Sequence, residues 1–127
     1  MSKVLHLTLK KQWFDMILSG VKLEEYREIK PYWINRLYQI NPTTVYEFEN
    51  IEELQHEISS GYTPKCPFQN FTHITFRNGY AKEAPQFTIE CKGIRIGKGN
   101  ADWGAPDTDV FILSLGQIVA KSRNCRI

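Results

Sequence analysis

Apolar and polar residues alternate over residues 4–9, and this period of two predicts a half-buried strand. Over residues 11–19 the apolar spacing changes to three and four, which predicts a helix with one buried stripe. Trp13 belongs to that stripe and is expected in the core more than in a ligand site. Gly20 follows, where a left-handed residue commonly ends a helix. The pattern therefore predicts a strand, an amphipathic helix and a sharp stop.

Residues 22–30 carry six charged side chains between two apolar elements. We interpret residues 22–29 as a strand with buried ends whose middle lines a cleft, with Lys22 still in the preceding turn. Glu25 and Arg27 are two positions apart, so both can point to the same side of a strand and form a carboxylate–guanidinium pair. The alternative is a solvated edge with surface salt bridges worth ~0 to 1 kcal/mol each.

The middle of the chain predicts two further helices. Pro31 can open a short helix in which Ile34, Leu37 and Tyr38 pack inward. Residues 43–70 have the pattern of an insertion with its own helix. That helix is predicted to begin after Asn50, to bury Ile51, Leu54 and Ile58, and to end at Gly61.

Three strand-like runs, residues 72–76, 86–96 and 110–119, predict a β-rich second half, and the last two are long enough to bend or bulge. Two glycine-containing loops lie between them. In residues 77–80, Arg77, Asn78 and Tyr80 supply a guanidinium, an amide and a ring that suit an unstacked nucleotide. Asn78-Gly79 equally favours a plain hairpin turn.

The second loop, residues 97–106, is predicted to hold Lys98 and Trp103 over the cleft as a lid, or else to anchor itself in the core through Trp103. Lys10, at the end of the first strand, can face the same opening. The alternative for Lys10 is simple exposure to solvent.

The composition fits one soluble domain. A chain of 127 residues with 42% hydrophobic and 24% charged side chains is long enough to bury a core. Its net charge of +2 is too small to indicate a nucleic-acid partner unless the cations cluster.

Cysteine and histidine spacing argues against a metal, a cofactor or a disulfide framework. The three cysteines, Cys66, Cys91 and Cys125, show no CxxC pattern, and the three histidines are isolated from one another in the sequence. Residues 1–9 do not resemble a secretory leader, and no run approaches the ~20 apolar residues of a membrane helix. We expect a cytoplasmic protein that does not contact membranes.

One motif resembles a known family. The sequence Gly20-x-Lys22-x-x-Glu25-x-Arg27 directly follows the helix with Trp13-Phe14, and this order resembles the ASCH domain family of the PUA-like superfamily. Residues 76–80 and 111–116 support the resemblance, whereas the insertion at 43–70 does not map onto it. Periodicity alone predicts an α+β fold. The resemblance implies a single domain with a small open β-barrel, surrounding helices and a charged cleft beside the first helix.

The resemblance also implies function. Members of the family are generally regarded as RNA or nucleotide binders, and a few relatives hydrolyse RNA or remove an acyl group from modified cytidine. Relatives with the latter activity carry a threonine where this chain has Glu25, which argues against that reaction here.

Two functions of different classes follow. In the first, a binding module holds single-stranded RNA or a nucleotide. Its predicted ligand-binding residues are Lys10, Lys22, Glu25, Arg27, Arg77, Asn78, Tyr80, Lys98 and Trp103. In the second, a hydrolase acts on RNA or a modified nucleoside. Its catalytic residues are then Lys22, assisting attack, and Glu25, as general acid or base, while Arg27 stabilises negative charge. A protein partner that contacts the insertion is a further, weaker alternative.

Overall fold

The computed structural model describes residues 3–38, 51–60 and 68–125, which form an α+β fold. Its strands and helices follow the predicted order, with differences of a few residues at their ends. They are β1 (Val4–Leu9), α1 (Lys11–Leu18), β2 (Glu24–Arg27), α2 (Pro31–Leu37), α3 (Ile51–Ser59), β3 (His73–Asn78), β4 (Gln86–Lys98) and β5 (Asp109–Lys121), with a 3-10 turn at Ala101–Trp103.

The five strands form one mixed sheet in the order β1-β3-β4-β5-β2. Strand β1 runs parallel to β3, and the other neighbouring pairs are antiparallel. The sheet curls into a half-barrel. Its two edge strands approach each other. This is shown by a hydrogen bond of 3.3 Å that Nη2 of Arg27 on β2 donates to the carbonyl oxygen of Thr8 on β1. The architecture is therefore compatible with an open barrel whose gap lies between β1 and β2.

The two longest strands, β4 and β5, are the bent pair that the sequence predicts. Their register shifts at Thr88/Ile89, Ile89/Cys91 and Cys91/Gly93. An extra residue at a bulge increases local twist. This irregularity accounts for how a sheet of five strands can curl so strongly.

Helix α1 buries Phe14, Ile17 and Leu18. Gly20 follows it with a φ of 84°, which confirms the predicted left-handed end. Trp13 differs from the expectation: it is only partly buried and faces a cleft. Successive residues of a helix are rotated by about 100° around its axis, and Trp13 lies at the border between the buried stripe and the exposed face.

Helices α2 and α3 complete the core. Proline opens α2, as predicted, and Ile34, Leu37 and Tyr38 are buried. From α3, Leu54 and Ile58 join the same cluster, so this helix shares the core of the sheet. The predicted capping residue Asn50 and the stop at Gly61 lie outside the described residues, as do the rest of residues 39–50 and 61–67 and the side chain of Ile51.

Candidate ligand-binding cleft

A cleft with a volume of about 540 Å³ opens where the edge strands β1 and β2 approach each other. Its walls come from both edge strands, the start of α1 and the loops after β3 and β4. They comprise Thr8, Leu9, Lys10, Trp13, Lys22, Glu25, Tyr26, Arg27, Gly79, Tyr80, Trp103 and Gly104. Three cationic side chains, Lys10, Lys22 and Arg27, therefore share the cleft with one carboxylate.

Lys22 is positioned by the end of helix α1. The backbone N–H groups of Val21 and Lys22 both donate to the carbonyl oxygen of Met16 at 3.0 Å, which fixes the turn before β2. The side chain is only 1% exposed. Its Nζ donates to the carbonyl oxygen of Trp103 at 2.6 Å and lies 3.2 Å from Oε1 of Glu25. A buried ammonium with two oxygen partners is the arrangement that a low-dielectric site requires.

Two aromatic rings enclose the same ammonium group. Nζ of Lys22 lies 5.3 Å from the ring centroid of Trp13 and 4.6 Å from that of Tyr26. Burial lowers the pKa of Lys22, and the attraction of Glu25 opposes that shift without cancelling it. The rings and the two oxygens together stabilise the charged form.

Glu25 and Arg27 lie on the same side of β2, as the two-residue spacing predicts. Nη2 of Arg27 donates to Oε2 of Glu25 at 2.7 Å, so each oxygen of this buried carboxylate has a cationic partner. The guanidinium carbon lies 4.9 Å from the ring centroid of Trp33. Within the described part of the chain, the buried Nε of Arg27 has no hydrogen-bond partner.

The loop at residues 97–106 is attached to the cleft at three points. Besides the bond from Lys22 to Trp103, the backbone N–H of Asn100 donates to Oη of Tyr26 at 2.9 Å. Gly104 has a φ of +96°, and a Cβ built there would stand 2.8 Å from Cζ2 of Trp13. Only glycine fits both the backbone angle and this approach.

Tyr26 connects the loop to a polar network on the outer surface. Burial is the main reason why the pKa of Tyr26 is raised, to about 12. Its hydroxyl donates to Oε1 of Glu24 at 2.8 Å, and Arg95 donates to Oε2 at 2.6 Å. Burial alone would raise the pKa of Glu24, but the bonds from Arg95 and Tyr26 outweigh it and lower this pKa.

The structure brings six of the nine predicted ligand-binding residues to one cleft. These are Lys10, Lys22, Glu25, Arg27, Tyr80 and Trp103. Tyr80 is 91% exposed at the cleft, whereas Lys22 and Glu25 form its floor. Trp103 holds its loop through its backbone and lines the cleft with its partly buried side chain.

The other three predicted residues lie elsewhere. The guanidinium of Arg77 donates to the carbonyl oxygens of Ala81 and Lys82 and so closes the turn after β3. Asn78 ends β3, and its backbone N–H donates to the carbonyl oxygen of Pro85 at 2.9 Å. Nζ of Lys98 lies 3.7 Å from Oδ1 of Asp107, and both side chains are largely exposed. Lys98 lines a different hollow, together with Glu28 and Asp109.

Six residues that line the cleft were not among the predicted ligand-binding residues: Thr8, Leu9, Trp13, Tyr26, Gly79 and Gly104. Alternation along β2 places Tyr26 on the face opposite Glu25, yet its ring centroid lies only 4.6 Å from Nζ of Lys22. A tyrosine inside a charged run was the signal available for it. Thr8 contributes a carbonyl oxygen, which no sequence pattern reveals.

The described residues contain no group of three or more histidine, cysteine, aspartate or glutamate side chains that could hold a metal ion. Among the helices of the same residues, none is long and apolar enough to cross a bilayer.

The fold and the site together define an α+β half-barrel with a charged, aromatic-lined cleft at its open edge. Comparisons with protein-family models, with curated proteins and with solved structures found no match to this chain.

Proposed function

We propose that the cleft binds a nucleotide unit, either free or within single-stranded RNA. The observation that carries this proposal is the combination of three cations with exposed and half-buried rings in a cleft of about 540 Å³. That volume falls within the range of roughly 300–1,000 Å³ typical of small-molecule sites. A nucleotide offers both kinds of group that such a site requires, a flat base and an anionic phosphate.

The rings supply surfaces for the base. Tyr80 is almost fully exposed, and Trp13 and Trp103 are half-buried on the same cleft. Bases stack on aromatic side chains with about 1–3 kcal/mol each, regardless of their sequence. Tyr80 is the best candidate for a stacking surface because this residue is 91% exposed.

The cations supply attraction for phosphate. Lys10 is exposed at the rim, and both described side-chain hydrogen bonds of Arg27 leave from Nη2. The planar fork of arginine suits phosphate or a base edge. Glu25 is held by Lys22 and Arg27, so its role is to orient the guanidinium and balance part of the charge.

We also interpret the half-barrel as the PUA-like fold of the ASCH family. The support is that the residues of the motif Gly20-x-Lys22-x-x-Glu25-x-Arg27 have distinct structural roles at the same site. Gly20 ends the helix, and the three charged residues form the floor of the cleft.

A titration with mononucleotides and short RNA at low salt tests the proposed function. Trp13 and Trp103 line the cleft, so tryptophan fluorescence provides the signal. Removing the exposed ring in Tyr80→Ala should weaken binding by about 5- to 150-fold, the equivalent of one stacking contact. Tyr80→Phe is the matched control, since it keeps the ring and should keep the affinity.

Two results would overturn this proposal. One is a lack of binding by RNA and by all four mononucleotides at low salt. The other is equal affinity of the Tyr80→Ala variant and the unmodified protein, which would remove the base from the cleft.

Hydrolysis of RNA or of a modified nucleoside is the second candidate. The observation that favours it is the buried Lys22, whose pKa is lowered by burial. A neutral amine is needed to accept a proton, but Nζ here donates to Trp103 and pairs with Glu25, which favours the ammonium form. Binding therefore ranks first.

Turnover assays separate the two functions. The hydrolase predicts release of product from RNA or acylated nucleosides, and loss of that activity in Glu25→Gln, which keeps the shape of the side chain. Binding of the same substrates without turnover by the unmodified protein would exclude the hydrolase and leave the binding module.

A further inference from the structure

A second hollow lies next to the cleft, on the other side of the loop that follows β3. It has a volume of about 550 Å³ and is lined by Arg77, Lys82, Glu83, Ala84, Gln86, Ser122, Arg123 and Asn124. Three cations face one carboxylate, so its lining carries a formal charge of +2. We call it the basic hollow.

The basic hollow is built by hydrogen bonds between the loop after β3 and the segment after β5. The side-chain amide of Asn124 donates to the carbonyl oxygen of Glu83 at 2.7 Å, and Ser122 Oγ donates to Oδ1 of Asn124 at 2.7 Å. The N–H of Ser122 donates to the carbonyl oxygen of Gln86 at 2.9 Å. These contacts hold its walls in place, whereas Lys82 and Arg123 are exposed and free to reach a ligand.

Arg77 provides a second reason to expect an anion there. Its Nη2 donates to the carbonyl oxygens of Ala81 and Lys82, and these bonds fix the guanidinium in position. Within the described residues, its buried Nε has no hydrogen-bond partner. A guanidinium fixed in position and flanked by two exposed cations is suited to a phosphate group.

The two hollows share one loop as their dividing wall. Gly79 and Tyr80 face the cleft, whereas Lys82, Glu83 and Ala84 face the basic hollow. Tyr80 and Lys82 are two residues apart, so their Cα atoms are at most about 7 Å from each other. A chain of a few nucleotides that places one base on Tyr80 can therefore place a neighbouring phosphate beside Lys82.

We propose that the ligand is a single-stranded oligonucleotide that occupies the cleft with one nucleotide and the basic hollow with the adjoining phosphates. This inference rests on the proposed function of the cleft and extends it, since a mononucleotide bound in the cleft would leave the basic hollow unoccupied. Phosphate contacts then provide affinity without reading sequence.

The test compares an RNA hexamer of mixed sequence with the corresponding mononucleotides. The hexamer should bind at least tenfold more tightly at low salt. The double variant K82Q/R123Q should lose most of that gain and keep its affinity for mononucleotides within twofold. Each phosphate contact on a single strand contributes about 0.7 to the slope of log affinity against log salt, so the slope should fall by about 1.4.

The matched control is the double variant K30Q/K92Q. It removes the same two charges from exposed positions that line neither the cleft nor the basic hollow. It should retain the tenfold gain of the hexamer. Circular dichroism and unfolding curves confirm that both double variants are folded.

The outcomes separate this inference from the proposed function. Binding of mononucleotides with no gain for the hexamer would overturn the basic hollow and leave the cleft standing. No binding of either ligand would overturn both. Equally tight binding of hexaglutamate would also overturn the inference, because the hollow would then accept any polyanion.

Discussion

Nζ of Lys22 donates a hydrogen bond of 2.6 Å to the carbonyl oxygen of Trp103, which lies 81 residues further along the chain. The bond connects the turn after the first helix with the loop before the last strand. Because Lys22 also pairs with Glu25, one side chain both balances the buried carboxylate and holds the wall of the cleft. The stability of the fold and the shape of the cleft therefore depend on the same group.

Replacing Lys22 by alanine should lower the free energy of unfolding by about 3 kcal/mol, because it leaves Glu25 buried with one partner fewer and frees the 97–106 loop. Urea unfolding at neutral pH provides the measurement. The control is Lys11→Ala, which removes the exposed ion pair with Asp15 and should cost about 0.5 kcal/mol or less. Equal effects of the two variants would show that Lys22 is not a buried partner of Glu25.

Gly104→Ala should disturb the cleft more than Gly20→Ala does. Both glycines have positive φ, at 96° and 84°, so each alanine variant carries a backbone cost of about 1 kcal/mol. Only at Gly104 would the new Cβ also approach Trp13, which adds about 1–3 kcal/mol of steric strain or displaces the loop. Unfolding curves and tryptophan fluorescence report both effects. Identical spectra and stabilities for the two variants would contradict the close approach.

Arg27→Lys should lower the unfolding free energy by about 2 kcal/mol, because an ammonium group cannot keep the guanidinium geometry toward both Glu25 and Thr8. The variant should also bind nucleotides at least tenfold more weakly. Arg95→Lys is matched in chemistry, since Arg95 joins Glu24 and Ser114 at an exposed position, and it should cost less than about 1 kcal/mol. The prediction fails if the surface variant is the more damaging one.

Glu24 should contribute to acid sensitivity. Its pKa in the folded protein lies below the ordinary value for a glutamate, because the bonds from Arg95 and Tyr26 outweigh the effect of burial. A carboxylate with a lowered folded pKa adds stability above the unfolded value, and this contribution is lost as pH falls through the folded value. Between neutral pH and about pH 3, the Glu24→Gln variant should therefore lose up to about 1 kcal/mol less unfolding free energy than the unmodified protein.

Urea unfolding at both pH values measures that difference. Glu52→Gln on α3 is the control, because Glu52 is exposed and lies outside the network of Arg95 and Tyr26. If the Glu24→Gln variant loses as much unfolding free energy on acidification as the unmodified protein does, Glu24 does not contribute to acid sensitivity.

Local pattern was sufficient for the strands and helices. The change from a period of two to a period of three and four located β1 and α1, and Gly20 marked the end of the helix because an L side chain seldom adopts its φ. The spacing of Glu25 and Arg27 was also sufficient for their ion pair, since alternate residues of a strand share a face. These are relationships between neighbours, which a sequence states directly.

Tertiary structure decided which distant groups surround Lys22. Side-chain type suggested that Arg77, Asn78 and Lys98 would join the cleft. Instead, Arg77 donates to carbonyl oxygens of the turn after β3, and Lys98 pairs with Asp107 and lines a different hollow. Conversely, Trp13 and the carbonyl oxygens of Thr8 and Trp103 reach the cleft only because the sheet curls and brings its two edges together.

The sequence by itself thus determined the α+β elements and the charged motif, because short-range periodicity and turn chemistry are local properties. The cleft was decided by the closure of β1 toward β2 and by the bulges that bend β4 and β5. Closure depends on how side chains pack across the whole sheet, and no single segment of the sequence specifies this packing.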